Sequence, residues 1–247
     1  MASKLLKKIS GALGYKLFDK NYVKNNRLCG KYSHLKIKNI LNYLFENKIV
    51  ESLIQIGAND GESFDELSYF IKKYSVNSIL VEPIEEHFKK LLSTYSSNNH
   101  IKLENVAISE ETGKKIIYSV KNDFKKIYGK HSDAISSFSL DHLLKHSIKK
   151  KHIEKLSVRS ISIGKLIEKY KLNNIDLFYV DAEGYDGEIV LSFLKNSIEC
   201  KAIIFEYIHI DHEIFKTLTN KLQEKDFKFF VISENLVCLK NKIKLEI

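Results

Sequence analysis

The chain has 247 residues, 44% of them hydrophobic, which is enough to bury one sizeable core. Its net charge of +9 does not predict a nucleic-acid partner, because only Arg27 and Arg159 among the 40 basic residues are arginine, the side chain suited to bidentate phosphate and base contacts. No apolar run approaches the ~20 residues of a membrane span, the basic start is broken by Gly11, Gly14 and Lys16, and Cys29, Cys200 and Cys238 are too scattered for a disulfide framework or a cysteine metal site, so a soluble cytoplasmic protein with reduced thiols is expected.

Leu5, Ile9, Leu13 and Leu17 recur at helical spacing with lysines between them. They predict a short basic amphipathic helix, packed on the body or in peripheral contact with a membrane surface. A second helical pattern, Ile37, Ile40, Leu41, Leu44 and Phe45, completes an N-terminal helical appendage over residues 1–47 and leads into the main domain, 48–247. That domain opens with the strand Ser52 to Ile56, mostly apolar as a central parallel strand must be when helices cover both faces. A helix over Ser63 to Lys73, a strand over Ser78 to Val81, a helix after Pro83 and a strand over Ile101 to Ala107 follow. This βαβαβ alternation predicts a doubly wound, Rossmann-like α/β sheet. Lys114 to Val120 reads as an added strand, and the polar, lysine-rich segment 121–155 as a mobile insertion on the acceptor side. Strands at Ser157 to Ser162, Ile175 to Val180 and Ala202 to Phe205, with helices between, continue the alternation. The last two strands, Phe227 to Ile232 and Leu236 to Leu239, are separated by three residues, which requires an antiparallel hairpin.

The chemistry-bearing residues cluster at strand ends. Gly57-Ala58-Asn59-Asp60-Gly61 follows the first strand, where glycines admit close backbone approach and helix N-terminal amides favour an anion. The spacing is not the GxGxxG of dinucleotide sites. Glu82 ends the second strand, 21 residues after Gly61, where a carboxylate can accept ribose hydroxyl protons. Asp181, Glu183, Asp186 and Glu188 fall within eight positions after the fourth core strand; Asp186 and Glu188 also read as helix caps. Glu206 closes the next strand, with His209 beyond it, so Asp181, Glu206 and His209 form an acid/base cluster or a metal set. His142 and His146 stand four apart with His152 nearby; that spacing permits ligation and is read as a solvated basic face. No dedicated metal site is assigned, and a divalent ion is not favoured.

Taken in order, Ile54-Gln55-Ile56-Gly57-Ala58-Asn59-Asp60-Gly61, Val81-Glu82-Pro83, Asn105-Val106-Ala107-Ile108 and Asp181-Ala182-Glu183-Gly184-Tyr185-Asp186 resemble the FkbM family of methyltransferases over about residues 50 to 210. The resemblance implies a class I methyltransferase sheet and S-adenosylmethionine as cofactor. Gln55, Gly57, Asn59 and Gly61 would line its methionine and ribose portion, Glu82 would bind the ribose hydroxyls, and Ala107 would lie against adenine. Asp181 would face the sulfonium and the acceptor, with Glu206 and His209 as partners. The implied acceptor is a small molecule or glycan, methylated on a sugar hydroxyl. The alternatives are a nicotinamide-dependent oxidoreductase or epimerase, and a non-catalytic binding protein on the same fold.

Overall fold

The computed structural model describes residues 35–63, 65–129, 132 and 135–246. The predicted helix over Leu5 to Leu17, and Cys29, lie outside the described residues. Helix α1 (Ile37–Glu46) leads into β1 (Ser52–Ile56). There follow α2 (Ser68–Tyr74), β2 (Asn77–Val81), α3 (Glu85–Tyr95) and β3 (Ile101–Glu104). Next come β4 (Ala107–Ile108), β5 (Gly113–Val120), α4 (Asn122–Tyr128), β6 (Ser136–Ser137) and α5 (Leu140–Lys145). The chain continues through β7 (Ile153–Ile161), α6 (Ile163–Lys169), β8 (Asn174–Val180) and α7 (Asp186–Leu194). It closes with β9 (Glu199–Glu206), α8 (His212–Glu224), β10 (Phe227–Ile232) and β11 (Asn235–Lys240).

Seven strands form the central sheet in the order β10-β11-β9-β8-β1-β2-β3. Pairings from β9 through β3 are parallel, while β11 runs antiparallel to both β9 and β10. The doubly wound sheet with an antiparallel C-terminal hairpin is thus present. The order in which successive strands are laid down reverses at β1, so that β8 is added on its other side; this is the switch point at which open α/β sheets bind ligands. Alternate side chains of each strand enter opposite layers. Leu53, Leu80, Leu177 and Ile204 pack with α1, α2 and α3, while Ile54, Val81, Phe178 and Phe205 pack with α6, α7 and α8. Helix α1 packs onto the sheet, with its Ile40, Leu41 and Leu44 fully buried in the first of these layers. Cys200 and Cys238 are free and buried.

Two strand expectations are corrected. Ile101 to Ala107 is not one strand, because the Asn105 side chain donates to the carbonyls of Glu82 (2.9 Å) and Pro83 (3.2 Å) and turns the chain out of the sheet. The strand expected at Ser157 to Ser162 is longer and does not belong to the central sheet. As β7 it joins a four-stranded sheet, β4-β7-β5-β6, pairing antiparallel with β5 along eight residues. Exposed Lys155, Ser157 and Arg159 alternate with the more buried Leu156, Val158 and Ser160, as suits a sheet buried on one face only. This second sheet stands over the carboxyl ends of the central strands, and segment 121–155 supplies α4, β6 and α5 to it and its flank. Among the described residues no helix is long and apolar enough to cross a membrane.

Candidate active site

Register brings the site together. Ile56 pairs with Val81 on one side and Val180 on the other, and Val180 pairs with Phe205. The next residue on each strand is therefore Gly57, Glu82, Asp181 or Glu206, in one row along the carboxyl edge. The Gly57 and Asp181 amides extend the ladder, donating to Val81 O (2.9 Å) and Ile56 O (3.0 Å). Gly57 has φ +82°, and a Cβ there would meet Asp181 O at 1.9 Å, so only glycine lets the two strand ends close up.

Above this row is an open cavity of ≈ 800 Å³, its mouth included. Gly57, Asn59 and Asp65 line one end, Glu82, Ile84 and His87 another, and Val106, Ala107 and Ile108 a wall. Asp181 and Glu183 reach it from the β8 loop, and Ser136, Ser137 and Phe138 cover it from the second sheet. Ser137 Oγ donates to Glu183 O (2.7 Å), and Phe138 meets Tyr185 edge to face at 5.0 Å between centroids. The second sheet is thereby latched onto the Asp181-bearing turn.

Glu82 is 5% exposed and holds its carboxylate in a fixed orientation. Oε2 accepts from Asn59 N (2.9 Å) and Oε1 from Ile84 N (2.8 Å). Asn59 has φ +48°, a left-handed conformation that asparagine tolerates, and this aims its amide at Glu82. Burial nevertheless pushes the Glu82 carboxyl up to about 7, against the lowering effect of both amides. Each oxygen retains a lone-pair direction for a ligand hydroxyl.

The expected residues divide. Gly57, Asn59, Glu82, Ala107 and Asp181 line the cavity. Gln55 and Gly61 stand behind it: a Cβ on Gly61 would meet Tyr95 and Leu91 of α3, and Gln55 Nε2 donates to Asp65 Oδ1 (3.1 Å). Asp65 Oδ1 also accepts from Leu67 N (2.8 Å), while Oδ2 is buried and has no hydrogen-bond partner. The structure thus places a carboxylate, held by Gln55, at the cavity end where the sequence offered only an amide. Asp65 precedes α2 and reads in sequence as a helix cap, so nothing in the spacing marked it.

Asp181 is solvent-exposed where it lines the cavity, with protein crowded around its other sides. Burial first, and then Glu183, Asp186, Glu66 and Asp65, hold its carboxyl well above the ordinary range. Asp186 is fully buried, accepts from Ala182 N (3.0 Å) and Gly184 N (3.1 Å), and is pushed by burial up to about 7. It ties down the turn that presents Asp181. Burial and the carboxylates of Asp186, Asp181, Glu183 and Glu234 push Glu206 up to about 9. Glu206 and His209 do not line the cavity; they face each other at 3.7 Å beyond Glu183.

The histidines of segment 121–155 are not a common solvated face. His142 is 5% exposed, with Nε2 3.0 Å from Glu183 Oε2. His152 is drawn away, its Nδ1 2.7 Å from Tyr128 Oη and its ring stacked on Phe124. His209 takes its place beside His142 and His146.

A sequence comparison with curated proteins finds no match. Among solved structures, methyltransferase FkbM from Methylobacillus flagellatus KT aligns with 85% of this chain and 50% of its own, at 12% identity and TM-score 0.48. This chain therefore spans half the length of that one. The METTL16 methyltransferase domain aligns over 84% and 67% (9% identity, TM-score 0.46). The Methanococcus jannaschii fibrillarin pre-rRNA processing protein aligns over 77% and 66% (13% identity, TM-score 0.39). Residues 55–229, from within β1 to within β10, match the methyltransferase FkbM domain. With that match running through the glycine turn, Glu82 and the Asp181 turn, the chain belongs to the FkbM methyltransferase family.

Proposed function

We propose that this protein transfers the methyl group of S-adenosylmethionine to a hydroxyl of a sugar or glycosylated metabolite, with Asp181 as the base. The observation that carries the reading is a carboxylate of raised proton affinity opening into a cavity whose other groups suit this cofactor. Glu82 offers a fixed pair of acceptors for a ribose diol. Asp65 Oδ2, buried and unpartnered, suits the ammonium of the methionine portion, and Ala107 with Val106 and Ile108 gives an apolar slot for adenine.

When bound, the cofactor supplies an electrophilic methyl carbon on a sulfonium. The chain's part is to align the acceptor and take its proton. A carboxylate near its ordinary pKa of ~4 is a weak base towards an alcohol. Burial and neighbouring carboxylates strengthen Asp181 for that task. The roof of Ser136, Ser137 and Phe138 screens the reacting groups from water.

The test is turnover with sugar acceptors, alongside calorimetry with S-adenosylmethionine, S-adenosylhomocysteine and NAD. Asp181→Asn should retain cofactor binding and lose roughly 10²-fold or more in turnover, the usual loss for a general base. Near-normal turnover would remove Asp181 from the chemistry, and a preference for NAD would remove methyl transfer altogether.

A further inference from the structure

The structure assigns a divalent-metal site of the zinc type to His142, His146 and His209, on the acceptor side of the cleft. His142 lies in α5 and His146 one turn on, at that helix's C-cap; His209 comes from the loop between β9 and α8. One ring nitrogen from each lies within 4.8 Å of the others. The ring centroids are 4.7 Å apart for His142–His146, 4.7 Å for His142–His209 and 5.5 Å for His146–His209.

Two further features make this more than a histidine cluster. Glu183 Oε2 accepts from His142 Nε2 at 3.0 Å, which puts the proton on Nε2 and turns the Nδ1 lone pair to the other side of the ring. Carboxylates fix metal-bound histidines in this way, setting the tautomer and raising the basicity of the ligating nitrogen. On that other side stands Gly184, where a Cβ would come within 3.2 Å of His142 Nδ1 and 3.6 Å of His209 Cβ. The absent side chain leaves clear the space these two rings face.

Imidazole donors favour zinc and its transition-metal neighbours over magnesium or calcium. Three protein ligands leave at least one coordination position for water or a substrate oxygen. Glu183 and Glu206, each in contact with one of the histidines, add negative charge that favours a dication. Glu183 also lines the cavity, so the histidine cluster and the cofactor slot meet at the Asp181–Gly184 turn. An acceptor hydroxyl bound at the open coordination position would be held in place and acidified. That last role rests on the methyl-transfer reading; binding of the metal does not.

The experiment uses the full chain, stripped with chelator and titrated with zinc by calorimetry and with cobalt(II) by visible absorption. One equivalent of each should bind, with the intense cobalt bands of a four- or five-coordinate nitrogen site. His209→Ala and His146→Ala should each weaken binding at least 10-fold; His146 is exposed, so its loss does not threaten the fold. Glu183→Gln should weaken binding about 10-fold, the lower end for a lost carboxylate partner of a ligating histidine, and His152→Ala should leave it unchanged. Absence of stoichiometric binding, preference for magnesium, or binding indifferent to His146→Ala and His209→Ala would overturn the site. S-adenosylhomocysteine affinity measured on the same preparations separates the two readings. Cofactor bound without metal overturns only the site, whereas metal bound without cofactor overturns only methyl transfer.

Discussion

Glu82 and Asp181 carry opposite demands on the same edge of the sheet. Glu82 is held by two backbone amides and serves as a fixed acceptor, so Glu82→Ala should weaken S-adenosylhomocysteine binding by ~1.5–3 kcal/mol, the range for a lost charge-assisted hydrogen bond. Unchanged affinity on calorimetry would take ribose recognition away from it. Asp181 is held by burial and by its carboxylate neighbours towards the protonated form. A cationic sulfonium beside it favours the ionised form, so S-adenosylmethionine should release a proton on binding and bind more tightly as pH rises. S-adenosylhomocysteine, which lacks that charge, should release fewer protons and depend less steeply on pH, since it engages Glu82 but leaves Asp181 as it was. Calorimetry in buffers of different ionisation enthalpy reads the proton directly, and equal proton release by the two ligands would contradict the placement.

At the scale of elements, the second sheet and segment 121–155 cover the cleft, and we propose that they move to admit the acceptor. Helix α4 buries none of its residues, and among the described residues Ser137, Phe138 and His142 join the roof to the β8 turn. Limited proteolysis should cut within 121–155 before the core, and S-adenosylhomocysteine with an acceptor should slow that cut; equal resistance of segment and core would contradict this. The same division explains what could be read in advance. The strands β1, β2, β8 and β9 are mostly apolar runs whose carboxyl ends carry Gly57, Glu82, Asp181 and Glu206, so the strands and that row of residues are legible from local pattern. Local pattern places β7 in the main sheet, whereas its pairing with β5 is fixed at long range and not by its own period. Asp65 and the grouping of His142 with His209 escaped for a related reason. A carboxylate before a helix looks like a cap, and the β9–α8 loop meets α5 only once the second sheet has closed over the first.

For the molecule as a whole, buried carboxylates set the pH profile of stability. Glu82 and Asp186 each titrate at about 7 in the folded chain, raised by burial from the ordinary carboxylate range near 4. Between those values the unfolded chain loses protons that the folded chain keeps. The contribution is therefore fully present below about pH 4 and is lost as pH rises through 7. Asp60, Glu85 and Glu86 shift the other way and stabilise the fold above their unfolded pKa values, so the two trends meet at mildly acidic pH. Tm should therefore fall as pH rises from 5 to 8. Glu82→Gln and Asp186→Asn should each flatten the decline. Ribose hydroxyls donating to Glu82 favour its ionised form, so S-adenosylhomocysteine should raise Tm more at pH 8 than at pH 5.5, and in Glu82→Gln this pH dependence should disappear. Thermal scans with and without ligand at the two pH values decide it. A ligand-induced rise in Tm that is the same at both, or that persists unchanged in Glu82→Gln, would mean that Glu82 does not meet the ribose.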